Sequence, residues 1–307
     1  MQRSPAAAGQ PGLQTAGAVD GADADRGREH GAYSSTALAR DQNNRGVPVA
    51  TTSVGDSLWF YGETLSTPYT DANVYFLRLG KGPQMRSTNP GKPASPATSF
   101  ADTVHAEQDV LPMTSLFHDP EADFWLWGYV IAGDATAGTR SFAFTAPDVL
   151  AGQSLGVSLL GMSETGKGRH HVTVKLNGTE LGEVRLGAHE AVTATFKLPP
   201  RALRSGANEL QLTGVRDEGV SISLVALDGI DVTYKRAATA ASGRLTLTAD
   251  RAGAVKVGGL GARGAQVYDV STSAAPVVLT GTLAGGAGAS SSVQFAAAAK
   301  HLSLIHI

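Results

Sequence analysis

Apolar and polar residues alternate through most of the chain, and this pattern predicts strands rather than helices. It is clearest between residues 139 and 235. Phe142 and Phe144 alternate with polar neighbours, as do Leu155, Val157 and Leu159, and residues two apart line one face of a strand. In HVTVKLNGTELGEVRL, Val172, Val174 and Leu176 point one way while Thr173 and Lys175 point the other. Asn177-Gly178 then reads as a two-residue hairpin turn. Beyond it, Leu181 is out of phase with Val184 and Leu186, and a bulge at Gly182 brings all three to the core. Val192, Ala194, Phe196 and Leu198 predict the next strand, ended by Pro199-Pro200. Leu210 and Leu212 follow the turn-like SGAN. Val220, Ile222 and Leu224 predict one further strand, and Ile230, Val232 and Tyr234 the last. Six or seven alternating strands at this spacing predict a sandwich.

The same reading divides the chain. Residues 1–46 have few large apolar side chains and no sustained period, so they are expected to be poorly structured or incomplete. Tyr33–Asn44 is the one stretch there that reads as the end of a strand. Residues 47–138 hold VPVATTSV, the aromatic run DSLWFYGETLSTPYTDANVYFLRL, FADTVHAEQDVL and HDPEADFWLWGYV. All three tryptophans, Trp59, Trp125 and Trp127, fall in this block, which predicts a compact aromatic β core. Residues 139–236 form the sandwich. Residues 237–300 alternate again in RLTLTA, AVKV and AQVYDVSTSAAPVVLTGTL and predict a partial Ig-like segment. LSLIHI, Leu302–Ile307, matches the translation of an adapter ligated to DNA before sequencing. Residues 301–307 are therefore expected to be non-native, with the natural protein continuing beyond Lys300. The fold class expected is all-β, in tandem antiparallel domains.

Composition narrows the function classes. With 25 basic and 27 acidic residues interspersed, the net charge is −2 and no basic stripe is available for nucleic acid. No apolar run approaches the ~20 residues of a membrane helix. There is no cysteine, which excludes disulfides, zinc thiolates and thiol catalysis by this chain.

Candidate chemistry is sparse. Ser163, His170 or His171, and Asp217 assemble into a hydrolytic triad on paper, but no G-x-S-x-G elbow accompanies them. His170 and His171 point to opposite faces of a strand and so are poorly placed to share a metal. Asp217, Glu218, Asp228 and Asp231 offer oxygen ligands for a structural calcium, the one cofactor considered, without forming a recognised calcium loop. Solvated loop charges are the plainer reading. Trp125 and Trp127 alternate with Phe124 and Leu126, so one pair faces the core. These two tryptophans are the candidate site residues, for docking a neighbouring domain or stacking on a ligand, with core packing as the ordinary alternative.

Five segments in fixed order carry a family resemblance: DSLWFYG, YTDANVYFLRLG, HAEQD, ADFWLW and VYDVSTSAAPVVL. Together they resemble the β-rich region that precedes the caspase-like domain of gingipain-like cysteine peptidases. Within 139–236, LNG, LPP, a G-x-N turn and LDGIDVTY resemble jelly-roll, galactose-binding-like modules. The first resemblance implies a secreted or surface protein, with the catalytic cysteine and histidine in a downstream domain that is this region's partner. No residue here matches those catalytic motifs. The second leaves an alternative, a secreted carbohydrate-binding or adhesive module with a glycan as partner.

Overall fold

The computed structural model describes residues 12–16, 35–40, 46–54, 57–62, 75–79, 82–89, 91, 95–113, 124–162, 169–260, 265–280, 283–285, 291–298, 300 and 302–306. All regular elements among them are strands. The first seven are β1 (Gly12–Ala16), β2 (Ser35–Arg40), β3 (Gly46–Val49), β4 (Thr51–Val54), β5 (Ser57–Gly62), β6 (Tyr75–Leu79) and β7 (Arg86–Thr88). Next come β8 (Ser99–Glu107), β9 (Leu111–Pro112), β10 (Trp125–Leu126), β11 (Gly128–Ile131), β12 (Thr139–Ala146) and β13 (Val149–Met162). They are followed by β14 (Arg169–Leu176), β15 (Thr179–Gly187), β16 (Ala191–Lys197), β17 (Gly206–Gly214) and β18 (Leu224–Ala237). The last are β19 (Arg244–Thr248), β20 (Gly253–Val257), β21 (Gln266–Asp269), β22 (Val277–Leu279), β23 (Leu283–Gly285), β24 (Ser292–Ala297) and β25 (Leu302–His306). The chain is all-β and its pairings are antiparallel, apart from the parallel β22–β7 pair and some isolated bridges.

Two compact units result, one of residues 1–98 with 238–307 and one of residues 99–237. In the first, β5 lies between β1 and β4, β2 between β3 and β6, and β25 between β19 and β21. The segment before residue 47 thus contributes two strands, and the tail contributes one; of the aromatic run 56–79, residues 56 and 63–74 lie outside the described residues. Tyr61 packs with Ala50, Met85, Tyr268 and Val270, so the DSLWFYG and VYDV segments meet in one cluster. Burial alone raises the Tyr268 phenol to about 12.

The second unit is a jelly roll. One sheet has the order β11-β18-β13-β16 and the other β12-β17-β14-β15, so alternate strands cross from sheet to sheet. The inward faces form one core: Phe142, Val157, Val172, Leu210 and Ile230 are at most 2% exposed and contribute to it with Trp127, Leu176 and Tyr234. The unit begins at Ser99, not at 139, because β8 pairs with β18 from Glu107↔Gly229 to Ser99↔Ala237. β11 pairs with the other half of the same edge, from Leu224 to Leu227.

Two of its bulges bear on the sequence pattern. Asn177 and Gly178 adopt φ of 50° and 81°, closing the β14–β15 hairpin as its sequence predicts. The register then slips at Val174/Lys175, leaving Leu181 unpaired beside Gly182 at φ 147°. Val184 and Leu186 enter the core and Leu181 packs against it, the outcome the pattern demanded. The second bulge corrects a sequence expectation. Val220–Leu224 is not a strand; Val220 lies in a turn, and Ile222 is 66% exposed. Instead β18 runs for 14 residues, with Val225 and Leu227 buried before Asp228-Gly229 and Ile230, Val232 and Tyr234 after it. The pairing slips there, from Leu159↔Leu227 to Val157↔Ile230. A phase reversal inside one strand imitates two strands.

Candidate functional site

The outer face of the five-stranded sheet collects the polar side chains of β8, β18, β13 and β16. Cross-strand registry sets them opposite one another: Thr103 and Thr233 hydroxyls lie 3.0 Å apart, as do those of Ser158 and Thr193. Between these pairs stands His105. Its Nδ1 lies 2.9 Å from Asp231 Oδ1, and its Nε2 lies 2.9 Å from Glu107 Oε2. Two carboxylates accepting from one ring require both nitrogens to carry protons, so the arrangement suits the imidazolium. Partial burial pulls the imidazole pKa down, but the hydrogen bonds and charges of Glu107 and Asp231 outweigh it and leave it above the usual value. The carboxylates sit on opposite sides of the ring and do not converge on one point, which a metal would need.

Beside Glu107 the face opens into a cleft of about 270 Å³. Its lining includes the Glu107 and Asp228 carboxylates, the Ser158 and Thr193 hydroxyls, and the apolar Leu126 and Leu160. The β18 bulge builds this site: it sets Asp228 and Asp231, three residues apart, both away from the core. A Cβ on Gly229 would lie 3.2 Å from His105 Cε1 and 3.4 Å from Glu107 Cβ, so the glycine leaves room for that pair above β18.

A second clamped histidine lies on the other sheet. His171 Nδ1 is 3.0 Å from Asp217 Oδ1, and Nε2 is 3.0 Å from Glu183 Oε2, although the latter contact misses hydrogen-bond alignment. Arg185 also pairs with Asp217. The hydrogen bonds from His171 and Arg185 hold the Asp217 carboxyl below its ordinary range. The structure therefore brings together two members of the paper triad, His171 and Asp217; Ser163 lies outside the described residues. His170, its neighbour, turns into the sandwich, where Nδ1 meets Ser223 Oγ at 2.9 Å. Burial, reinforced by nearby His189, pushes its pKa down. Both histidines are buried. Asp217 sits on one outer face and Asp231 on the opposite one, so the four acidic residues considered for calcium are not brought together. Among the described residues no cluster of three or more His, Asp or Glu is arranged to hold a metal.

The tryptophans part company. Trp127 is 5% exposed and meets Phe142 edge-on with ring centroids 5.4 Å apart, inside the sandwich core. Trp125 is half-buried and lies 5.7 Å from the Phe124 ring. Leu126, between them, is also buried. The bend at Trp127 breaks the alternation that sequence reading assumed. The cleft escaped that reading, because Glu107, Ser158, Thr193 and Asp228 come from four separate segments and none stands in a recognisable motif. The only sequence cue is H-x-E at His105 and Glu107, two residues apart on one strand face.

No sequence-family description matches the chain, and no curated protein matches it. A solved structure does share its fold. Dimeric latent PorU from Porphyromonas gingivalis superposes with a TM-score of 0.62 at 12% identity, over 97% of this chain and 31% of its own. The chain thus spans less than a third of PorU. Two carbohydrate-binding modules align over smaller parts. The CBM36 module in complex with calcium and xylotriose has a TM-score of 0.24 at 14% identity, over 33% of this chain and 77% of its own. The CBM36-1 domain of a multidomain xylanase from the hindgut metagenome of Trinervitermes trinervoides has a TM-score of 0.28 at 13% identity, over 43% and 95%. Among the described residues, no helix is long and apolar enough to cross a membrane.

Proposed function

We propose that this chain is a noncatalytic β-rich region of a secreted or cell-surface gingipain-like cysteine endopeptidase. It folds ahead of a caspase-like domain of the same polypeptide and supports that domain by packing against it. The observation that carries this reading is the fold shared with PorU over 97% of the chain, across both units. It accords with the ordered motifs that resemble gingipain-like peptidases, and two of those motifs pack together at Tyr61 and Tyr268. The absence of cysteine fits a supporting role, since the thiol of such enzymes would reside in the partner domain.

The test is to recover the natural downstream reading frame and co-express its domain with this chain. Co-purification of the two, or a higher yield of folded catalytic domain, is the expected result. A downstream frame lacking a caspase-like histidine and cysteine would refute the reading, as would two products that neither associate nor influence each other.

A further inference from the structure

We propose that the connection from β17 to β18, residues 215–223, is an acid-released strap: mild acid frees its Ser223 end from His170, while its Asp217 end stays fastened to His171. The device depends on which face of β14 each histidine occupies, and it stands whether or not the parent protein is a peptidase.

Neighbouring residues of one strand hold the two ends. On the outer face of β14, His171 Nδ1 lies 3.0 Å from Asp217 Oδ1, and the His171 carbonyl accepts from Val215 N at 2.8 Å. On the inner face, His170 Nδ1 meets Ser223 Oγ at 2.9 Å, and the Ser223 carbonyl accepts from Ala132 N at 2.8 Å. Between the ends little holds the strap down. Among the described residues, the bonds of 218–222 stay within it: Val220 N donates to the Asp217 carbonyl, and Arg216 Nε donates to the Val220 carbonyl. Residues 216–222 are exposed or half-buried, with Ile222 at 66%. Such a segment opens at lower cost than the strands on either side.

The two fastenings answer a proton differently. His170 is fully buried, and its Nε2 has no aligned partner. A second proton on that ring would bury a cation with an unsatisfied N–H. The charged groups around it offer no relief. Arg169 and His171 flank it on β14, Arg185 stands on β15, and His189 and Glu190 lie in the turn after β15. The Glu190 carboxylate already accepts from Gly187 N, and its carbonyl accepts from Gly161 N. β13 sets Gly161 against the ring and adds no charge there. On the strap side Arg216, Asp217 and Glu218 precede the Ser223 hydroxyl. Burial and the charge of His189 both disfavour the imidazolium. Releasing Ser223 opens the ring to water from its Nδ1 side. At the outer fastening, by contrast, the carboxylates of Asp217 and Glu183 face the two nitrogens of His171, so a proton gained there leaves the Asp217 contact in place. The hydrogen bonds from His171 and Arg185 keep the Asp217 carboxyl ionised below its ordinary range.

The sign follows from linkage. Once exposed, His170 titrates near 6.5, whereas in the closed form its value is lowered. The open form therefore gains about tenfold for each pH unit below about 6.5, until the closed-form value is reached, and gains nothing above it.

The chain has no cysteine, so Ile222→Cys supplies a single thiol for a spin label on the strap. Leu150→Cys, at a residue 58% exposed on β13, supplies a reference elsewhere in the same unit. Between about pH 7.5 and about pH 5.5, the ratio of mobile to immobile label at 222 is expected to rise by up to about tenfold, and the label at 150 should not respond. His170→Gln should abolish the rise. If that variant does not fold, Ser223→Ala should make the label mobile at neutral pH and shrink the acid gain. Asp217→Asn should add mobility at both pH values and keep the rise. Four results would overturn the proposal: no change at 222, an equal change at 150, a rise that survives His170→Gln or Ser223→Ala, or a rise abolished by Asp217→Asn. A midpoint near 4 would overturn it too, because a carboxylate would then be the trigger.

Discussion

His105 and Asp231 occupy paired positions on β8 and β18, and their side chains close the pair with a 2.9 Å contact between Nδ1 and Oδ1. With Glu107 on the other ring nitrogen, the folded protein holds the proton on His105 more tightly than the unfolded chain does. Such a group stabilises fully below the unfolded value of about 6.5, and the contribution is lost as pH rises through the raised folded value. More than half the side chain is exposed, so screening limits the effect to below about 1 kcal/mol. His105→Gln should therefore remove a small loss of stability on the alkaline side of about pH 6.5. Urea melts of both proteins across that range check it, and identical pH profiles would exclude the clamp as a contributor.

His170 behaves with the opposite sign. Its pKa is depressed by burial, with His189 adding to the effect, so the folded state resists the proton that the unfolded chain accepts. Stability should fall as pH drops through about 6.5, and His170→Gln should flatten that acid limb whatever its effect at neutral pH. Ser223→Ala provides a second check. It removes the 2.9 Å partner of Nδ1 in a ring whose Nε2 already has no aligned partner. A loss of about 1–3 kcal/mol is expected at pH 8, where the ring is neutral in both states.

These two histidines also show what the sequence disclosed. A period of two is visible wherever one face is buried, so Val172, Val174 and Leu176 announced their strand and Asn177-Gly178 its turn. A bulge that stays within a hairpin, as at Gly182, is readable because the hairpin fixes the register on both sides. The bulge at Asp228-Gly229 is not. Its partners, Val157 and Leu159, lie about seventy residues away, and without them one strand of reversed phase reads as two. Long-range pairing hides the site in the same way. Glu107 and Asp228 meet only because β8 and β18 pair, and no local pattern encodes that. β11, which pairs with the other half of the same edge of β18, has just four residues, too few for a period to stand out beside the tryptophans.

The hairpin bulge can be tested at its glycine. Gly182 holds φ 147°, and a Cβ there would stand 3.3 Å from the Phe196 ring. Gly182→Ala is expected to cost about 1–3 kcal/mol through backbone strain and crowding together. Gly178→Ala isolates the first contribution, since its φ of 81° is strained for alanine but nothing lies within 4 Å of the added methyl. Its cost should be the smaller of the two. Equal losses in denaturant melts would mean that Phe196 yields freely.

The tryptophan pair separates packing from docking. Trp127 fills the core against Phe142, so Trp127→Ala leaves a cavity and should cost about 3–5 kcal/mol. That loss is expected in the isolated chain, with no partner present. Trp125 contributes a half-buried ring on a two-residue strand paired with Leu111–Pro112. Trp125→Ala should change stability by less than about 1 kcal/mol. If Trp125 docks a neighbouring domain, its variant should melt like the parent protein yet lose co-purification with the downstream domain. A variant that melts normally and still co-purifies would remove Trp125 from any docking surface. A Trp127→Ala variant of unaltered stability would contradict its place in the core. The two readouts together assign each ring one role, because a core residue acts on folding first and a docking residue acts only when the partner is there.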